Sequence, residues 1–441
     1  MKKNALKRII LLLFLLNAIA TFSQCWKQVS AGNNFTLAIK NDGTLWAWGR
    51  IQGDYGNQQL PIQIGTDTDW KFAEAASEYT LVIKNNGTLW GWGKNPSGQL
   101  GNGTQTDVMT LTQIGSDTDW ESISAYYTTL ALKTDGTLWV WGGTNFGLTP
   151  PVLSPQLVGT TSDHWKSISS HNGTYAAIKV DGTLWFWGNT QPYLPSQAQQ
   201  VTSSITWDKV VCGAGFRLAL KTDGTLWSWG YNFYGQLGQG NTTDTQIVTQ
   251  IGLATDWKDI AASYIGSFAQ KIDGSVWSWG LNASGQLGYG FEGGSFSTPA
   301  QVGIATDVKT FDAGEDHIMY LKNDDSMWVC GSDYLGQLGN GNSLYSQATP
   351  IAIACAGSLA TNDFVANELS IFPNPTTGIV IISNEDNLSI DKIEILDILG
   401  KTVSVKTNNT SQVDISHLSN GIYIFKIYSG ETVFQKKIIK Q

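Results

Sequence analysis

Polar and apolar positions alternate most sharply in a phrase that returns seven times along the chain. Its first copy reads Asp42-Gly43-Thr44-Leu45-Trp46-Ala47-Trp48-Gly49. Side chains alternate across a strand, so Trp46 and Trp48 share one face and Leu45 and Ala47 the other. Both faces are apolar. Such a strand needs cover on each side, which stacked sheets supply and a single open sheet does not. A second apolar strand precedes the phrase, as in Thr36-Leu37-Ala38-Ile39-Lys40. Between the two, Asn41-Asp42-Gly43 is hairpin-turn chemistry, because glycine accepts a positive φ. A third strand opens each unit on tryptophan, as in Trp26-Lys27-Gln28-Val29-Ser30. Trp70, Trp120, Trp165, Trp207 and Trp257 open later units, and Val308 stands in for tryptophan in the seventh.

The closing glycines of the phrase are Gly49, Gly93, Gly142, Gly188, Gly230, Gly280 and Gly331, spaced 42 to 51 residues apart. A period of this size, built of strands and turns, predicts a propeller or a similar array. Four units continue into a glycine loop: Gly98-Gln99-Leu100-Gly101, Gly235-Gln236-Leu237-Gly238, Gly285-Gln286-Leu287-Gly288 and Gly336-Gln337-Leu338-Gly339. These loops precede no helix and no Lys-Ser/Thr pair, so they read as tight turns rather than a phosphate cradle. All 19 tryptophans fall in the seven units. That placement assigns them to packing between blades, at about 3 kcal/mol or more each, rather than to sugar binding.

These units resemble repeats of the regulator of chromosome condensation family, a seven-bladed β-propeller family. The likeness rests on the Asp-Gly-Thr-Leu-Trp-x-Trp-Gly phrase, the Gly-Gln-Leu-Gly loops and the strand before each phrase, and it spans residues 25–355. Departures are visible. The histidine usual before the Thr-Leu strand is replaced by Phe35, Tyr79, Tyr127 and Phe216, and His317 keeps it in the last unit. Units one, three and four lack a clean glycine loop.

The two ends add an address. Residues 1–24 have the build of a secretory signal peptide: Lys2, Lys3, Lys7 and Arg8, an apolar run from Ile9 to Leu16 too short to span a bilayer, then small residues. Residues 356–367 are small and polar and read as a linker. Residues 368–441 hold short alternating strands and no tryptophan, the pattern of a small immunoglobulin-like β-sandwich. This tail resembles the C-terminal sorting domain of the type IX secretion system of Bacteroidetes. The matching residues are Phe372-Pro373-Asn374-Pro375 with Gly378, Leu396 to Lys401, Gly421 and Tyr423, and a lysine-rich end that includes Lys437. The resemblance implies handling by the type IX machinery and release or attachment at the outer cell surface.

Composition narrows the function further. Only 14% of residues are charged and the net charge is −9, or −13 without the four basic residues of the leader. An acidic chain with no basic run argues against nucleic acid or anionic membrane as partner. Export permits disulfides, and a closed ring would bring Cys25 and Cys355 together. Cys212 and Cys330 read as buried free thiols. His164, His171, His317 and His417 make no zinc-like pair, and no serine elbow or cysteine–histidine set occurs. Asp67-Thr68-Asp69 and Asp117-Thr118-Asp119 recur just before a tryptophan, which favours turn capping over calcium. No metal or cofactor is expected, and the chain is expected to be a monomer. The expectation is a non-catalytic binding scaffold for an extracellular protein or glycan. Aromatics just past the phrase are its candidate contacts: Tyr55, Phe146, Tyr193, Phe233, Tyr234, Tyr289 and Tyr334. Half of them are expected to pack between loops instead. The alternative is a polysaccharide-active enzyme on a propeller frame. The founding activity of the resembled family, nucleotide exchange on a nuclear GTPase, does not suit an exported chain.

Overall fold

A computed structural model describes residues 25–143, 151–188, 198–201, 206–303, 305–342, 345–353, 369–372, 376–384, 390–397, 401–407, 412–429 and 432–441. The chain divides into two compact units, Met1–Ala356 and Gly357–Gln441. The described residues contain no α-helix and one short 3-10 turn, Gly53–Tyr55.

The first unit is a seven-bladed β-propeller. Each blade is a four-stranded antiparallel sheet in chain order. Blade one runs through Trp26–Ala31, Phe35–Lys40, Leu45–Arg50 and Asn57–Gln63. The first strands lie innermost and touch one another around the ring: Trp26–Ala31, Trp70–Ala75, Trp120–Ala125, Trp165–His171, Trp207–Cys212, Trp257–Ala262 and Val308–Ala313. The ring closes. One buried cluster joins Trp26, Val29, Ala38 and Trp48 of blade one to Met319, Leu321, Met327 and Ile353 of blade seven.

The repeated phrase has a mechanical explanation. Asp42 Oδ1 accepts from the Thr44 amide (3.0 Å) and from its hydroxyl (2.6 Å), and Thr44 Oγ1 accepts from Trp46 Nε1 (2.8 Å). The aspartate thus locks the hairpin and the threonine aims the first indole. Gly43 has φ 80°, and a Cβ there would lie 2.0 Å from the Thr68 carbonyl oxygen of the next unit, so no larger residue fits.

The two tryptophans of each pair do different work. Trp48, Trp92, Trp141 and Trp279 are buried between blades. Trp46, Trp90 and Trp139 are half-buried and, with the opening tryptophan, sandwich the lysine that ends the second strand. Lys84 Nζ lies 4.9 and 5.1 Å from the Trp70 and Trp90 rings and is held by Asp67 (2.7 Å) and Asp69 (3.0 Å). Lys133 repeats this with Asp117 and Asp119. The Asp-Thr-Asp segments are therefore lysine clamps, where turn capping was expected, and not every tryptophan is core. A half-exposed indole pair is a good seat for an ammonium group.

In the four blades that carry it, the glycine loop clamps the blade to the next. Trp141 Nε1 donates to the Gln99 carbonyl at 2.8 Å, and Thr129 Oγ1 donates to the same oxygen at 2.9 Å. Trp279 and Ser267 do the same at Gln236, and Trp48 and Thr36 at Gln337. Cys330 stands at the second-tryptophan position of blade seven, and its thiol reaches the Gln286 carbonyl at 3.8 Å. A Cβ on Gly101 would lie 2.7 Å from Trp141 Nε1, which excludes any side chain there. Blade one has no such loop, and Trp92 Nε1 has no hydrogen-bond partner; the Tyr55 ring meets Trp92 instead, at 5.9 Å. Cys212 and Cys330 are free and buried. Cys25 is disulfide-bonded, and Cys355 lies outside the described residues.

The second unit contains two sheets. One holds Leu369–Phe372, Ile379–Asn384 and Gln412–Asp414; the other holds Thr402–Thr407, Lys392–Asp397, Gly421–Ser429 and Thr432–Lys440. Val380, Ile382 and Val413 of the first pack with Ile393, Ile395, Phe425, Ile427 and Ile438 of the second, which makes a sandwich core. Tyr423 is buried and its hydroxyl donates to the Ser419 carbonyl at 2.7 Å. A Cβ on Gly378 would lie 2.3 Å from Ser416 Oγ. Phe372 ends the first strand, and Lys437 pairs with Ile424 in the ladder. Pro373, Asn374 and Pro375 lie outside the described residues, as do the leader and the linker.

Candidate functional site

Alternate residues of the inner strands tie the propeller together around its axis. The Ser30 hydroxyl accepts from Ala75 N (2.9 Å), Glu74 from Ala125 N (2.9 Å), Ser124 from Ser170 N (2.9 Å), Ser169 from Cys212 N (2.8 Å) and Asp312 from Ala31 N (2.9 Å). Each bond crosses to the next blade, and the last crosses the point of closure. Burial raises the Asp312 carboxyl to about 6, against the pull of the Ala31 amide and of Lys209. Burial and Asp312 push Glu74 up as well. These acids are spent on holding backbone amides. Lys209 is paired with Asp259.

The two mouths of the axis differ. At the start of the inner strands lysines predominate: Lys71 pairs across blades with Glu121 (2.5 Å) and Lys166 with Asp208 (3.2 Å), while Lys27 and Lys258 are exposed and form no ion pair among the described residues. At the other mouth, the hairpins joining first to second strands meet one another. Backbone bonds link them from blade to blade: Asn33 N to Ala76 O (3.3 Å), Ser77 N to Tyr126 O (3.4 Å), Ala214 N to Tyr264 O (2.9 Å) and Glu315 N to Gly32 O (3.3 Å). The glycine loops leave from this same face, since Arg50 N bonds to Asn34 O, Lys94 N to Glu78 O and Ser332 N to Asp316 O.

Aromatic and acidic side chains converge at this second mouth. The Tyr126 and His171 rings stack at 4.1 Å, His171 and Tyr264 lie 6.0 Å apart, and Tyr126 and Tyr127 meet edge to face at 4.7 Å. Tyr126 is 6% exposed and Tyr127 46%. The Tyr126 hydroxyl titrates well above the ordinary range because it is buried and faces Glu315. Burial and the neighbouring Asp316 raise Glu315 to about 7. Burial also holds His171 neutral, down to about 3, and its Nδ1 has no hydrogen-bond partner. Glu78 stands exposed within electrostatic reach of Tyr127. Five blades thus contribute one or two residues each.

The aromatics singled out in the sequence lie further out and divide by role. Phe233 is 73% exposed and sits edge-on to Tyr234 at 5.0 Å. Tyr334 is 69% exposed and stacks on exposed Tyr345 at 5.6 Å. Tyr55 packs on Trp92, as above. Tyr289 is half-buried, donates to the Ser278 carbonyl at 2.5 Å and packs against Phe291 and Phe296. Phe146 and Tyr193 lie outside the described residues. The mouth cluster escaped the sequence reading because its residues, tyrosines in blades three and six, glutamates in two and seven and a histidine in four, follow no repeat along the chain. The signal was the hairpin register itself: Thr128, not Tyr127, faces Gly142 as Phe35 faces Gly49. Tyr127 is thereby freed for the mouth. His164 and His171 sit at opposite ends of Trp165–His171, about 20 Å apart at strand rise, and share no site. Among the described residues, no three His, Cys, Asp or Glu side chains gather closely enough to hold a metal ion.

Comparisons with known proteins agree with this architecture. Residues 26–57 and 207–236 match one form of the regulator of chromosome condensation (RCC1) repeat, and residues 86–125, 223–269 and 273–321 match another. Residues 370–441 match the secretion system C-terminal sorting domain. No curated protein matches the sequence. Among solved structures, Prp20p from Saccharomyces cerevisiae, described with its binding to Gsp1p and histones, has a TM-score of 0.64 at 16% identity, over 79% of this chain and 90% of its own. Human WBSCR16 has a TM-score of 0.60 at 20% identity, over 68% and 87%. At these identities the likeness is one of fold.

Proposed function

We propose that this chain, which carries regulator of chromosome condensation repeats and a type IX secretion sorting tail, is an exported, non-catalytic scaffold that binds an extracellular protein through its glycine-loop face. The observation that supports this reading is the contrast between the two mouths. One is lined mostly by lysines, with Lys71 and Lys166 paired across blades and Lys27 and Lys258 exposed and in no ion pair among the described residues. The other presents a cluster of aromatic rings and acids, with exposed Phe233 and Tyr334 further out on the same side. Rigid hairpins on a closed ring hold such a surface at small entropic cost, and aromatic anchors are the residues that carry binding energy at protein interfaces. The acids along the axis accept backbone amides, which favours a scaffolding role for them over general acid–base chemistry.

In this reading a leader takes the chain to the periplasm, and the tail takes it across the outer membrane to the surface or the medium. The mature protein, incubated with surface proteins of the producing cells and with a panel of polysaccharides, is expected to capture a protein in fixed stoichiometry and to release no reducing ends. Turnover of any polysaccharide would overturn the proposal.

A further inference from the structure

We propose that the aromatic and acidic mouth is a receptor for a cationic nitrogen group, the lysine ammonium or arginine guanidinium of the protein partner. This rests on the scaffold reading above and names what its central contact recognises. Three observations carry it. Tyr127 and Tyr264 leave ring surface open to solvent, beside a largely buried stack in which the Tyr126 and His171 rings lie 4.1 Å apart and His171 lies 6.0 Å from Tyr264. Aromatic faces attract cations, more strongly where water is excluded.

The second observation is unmatched negative charge. Glu78, Glu315 and Asp316 form no ion pair among the described residues, whereas the opposite mouth is lined mostly by lysines. Lys94, within electrostatic reach of Glu78 and of Arg50, is held by Asp107 at 2.8 Å, and Asp316 accepts a neutral donor, Gln286 Nε2, at 3.3 Å. The third is the Nδ1 of His171, a buried ring nitrogen with no hydrogen-bond partner. A neutral imidazole nitrogen left unpartnered is satisfied when a donor such as an ammonium or guanidinium enters beside it, and it adds no charge of its own.

A half-buried carboxyl without a partner takes up either a proton or a cation. Glu315 is flanked by Asp316, faces Tyr126 and Tyr127 of blade three, and shares with Glu78 and Tyr264 the field at Tyr127. None of these groups is positive. With the Glu315 carboxyl at about 7, its charged fraction rises about tenfold from pH 6 to pH 8, and cation affinity rises with it. Histidine does not oppose this, since His171 stays neutral throughout.

The test uses the mature chain and four probes: the peptide acetyl-Gly-Ser-Lys-Gly-Ser-Gly-amide, its arginine and glutamine analogues, and spermidine. Binding is read from the His171 ring resonances and by calorimetry at pH 6, 7 and 8. The lysine or arginine peptide is expected to bind at least tenfold more tightly than the glutamine analogue, with affinity rising up to about tenfold across the pH range. Glu315→Gln, with an unchanged melting midpoint, is expected to lose at least tenfold and to flatten the pH dependence. His171→Phe keeps a ring face and is expected to weaken binding without flattening it. Tighter binding of spermidine than of either peptide keeps the chemistry and assigns the cation to a free polyamine. Equal binding of the glutamine analogue, stronger binding of an oligosaccharide, or an unaltered Glu315→Gln profile overturns the receptor. If no cation binds, yet a captured protein crosslinks beside Phe233 and Tyr334, the receptor fails and the scaffold stands.

Discussion

Replacing Trp141 and Trp92 separately by phenylalanine isolates what the glycine loop contributes. Both indoles occupy the second-tryptophan position and both are fully buried. Trp141 Nε1 donates to the Gln99 carbonyl at 2.8 Å; Trp92 Nε1 has no partner, because blade one lacks the loop. Trp→Phe removes the same atoms in each case, so the packing loss, about 1–3 kcal/mol, is nearly common to both. In blade three the change also deletes a hydrogen bond worth about 0.5–1.5 kcal/mol. In blade two it removes a buried orphan donor, a relief of about 1–3 kcal/mol. Trp141→Phe is therefore expected to exceed Trp92→Phe in cost by about 1.5–4.5 kcal/mol. Gln99 O keeps its Thr129 bond in the variant, so no orphan acceptor inflates the difference. Urea unfolding followed by far-UV circular dichroism reads it as a difference in midpoint at equal slope. An equal or larger loss for Trp92→Phe would refute the clamp.

Three further outcomes follow from the same geometry. Asp312 has its carboxyl raised to about 6, so its contribution to stability is fully present below the unfolded value near 3.8 and is lost as pH rises through about 6. Asp312→Asn keeps the Ala31 contact and is expected to stabilise by about 1–2 kcal/mol at pH 8 and by almost nothing at pH 4; urea midpoints at the two values check it, and equal effects would contradict it. Peptide mapping without reduction is expected to find Cys25 joined to Cys355, and reduction to cost about 2–4 kcal/mol. A reporter fused to residues 368–441 behind the leader is expected outside the cell, with the fusion lacking 370–441 held in the periplasm, as fractionation would show.

The propeller was legible because its strands repeat two chemical devices that survive intact or nearly so in six of the seven copies and in worn form in the last, where Asp325 and Cys330 replace the turn glycine and the second tryptophan. Asp42, Gly43 and Thr44 form a local turn whose bonds span two residues, and alternation around Trp46 and Trp48 demands cover on both faces. Roles set across blades were harder to read. Whether an indole is core or half of a lysine seat depends on Lys84 and on Asp67 from the turn before Trp70, and no single strand carries that pairing. The mouth was the least legible part. Tyr126, His171, Tyr264 and Glu315 occupy related hairpins but share no chemistry, and only the ring brings them within reach. Reading for repetition finds what holds the ring together and passes over what varies on its rim, where binding residues tend to sit.

The most direct test places a photoreactive benzoylphenylalanine at Tyr127 in one protein and at Glu121, at the opposite mouth, in another. Each is displayed on the producing cells, irradiated, and searched by mass spectrometry for adducts. A protein adduct from position 127 and none from position 121 is the result this account predicts. Adducts from position 121 alone would place recognition at the wrong end of the axis and contradict it.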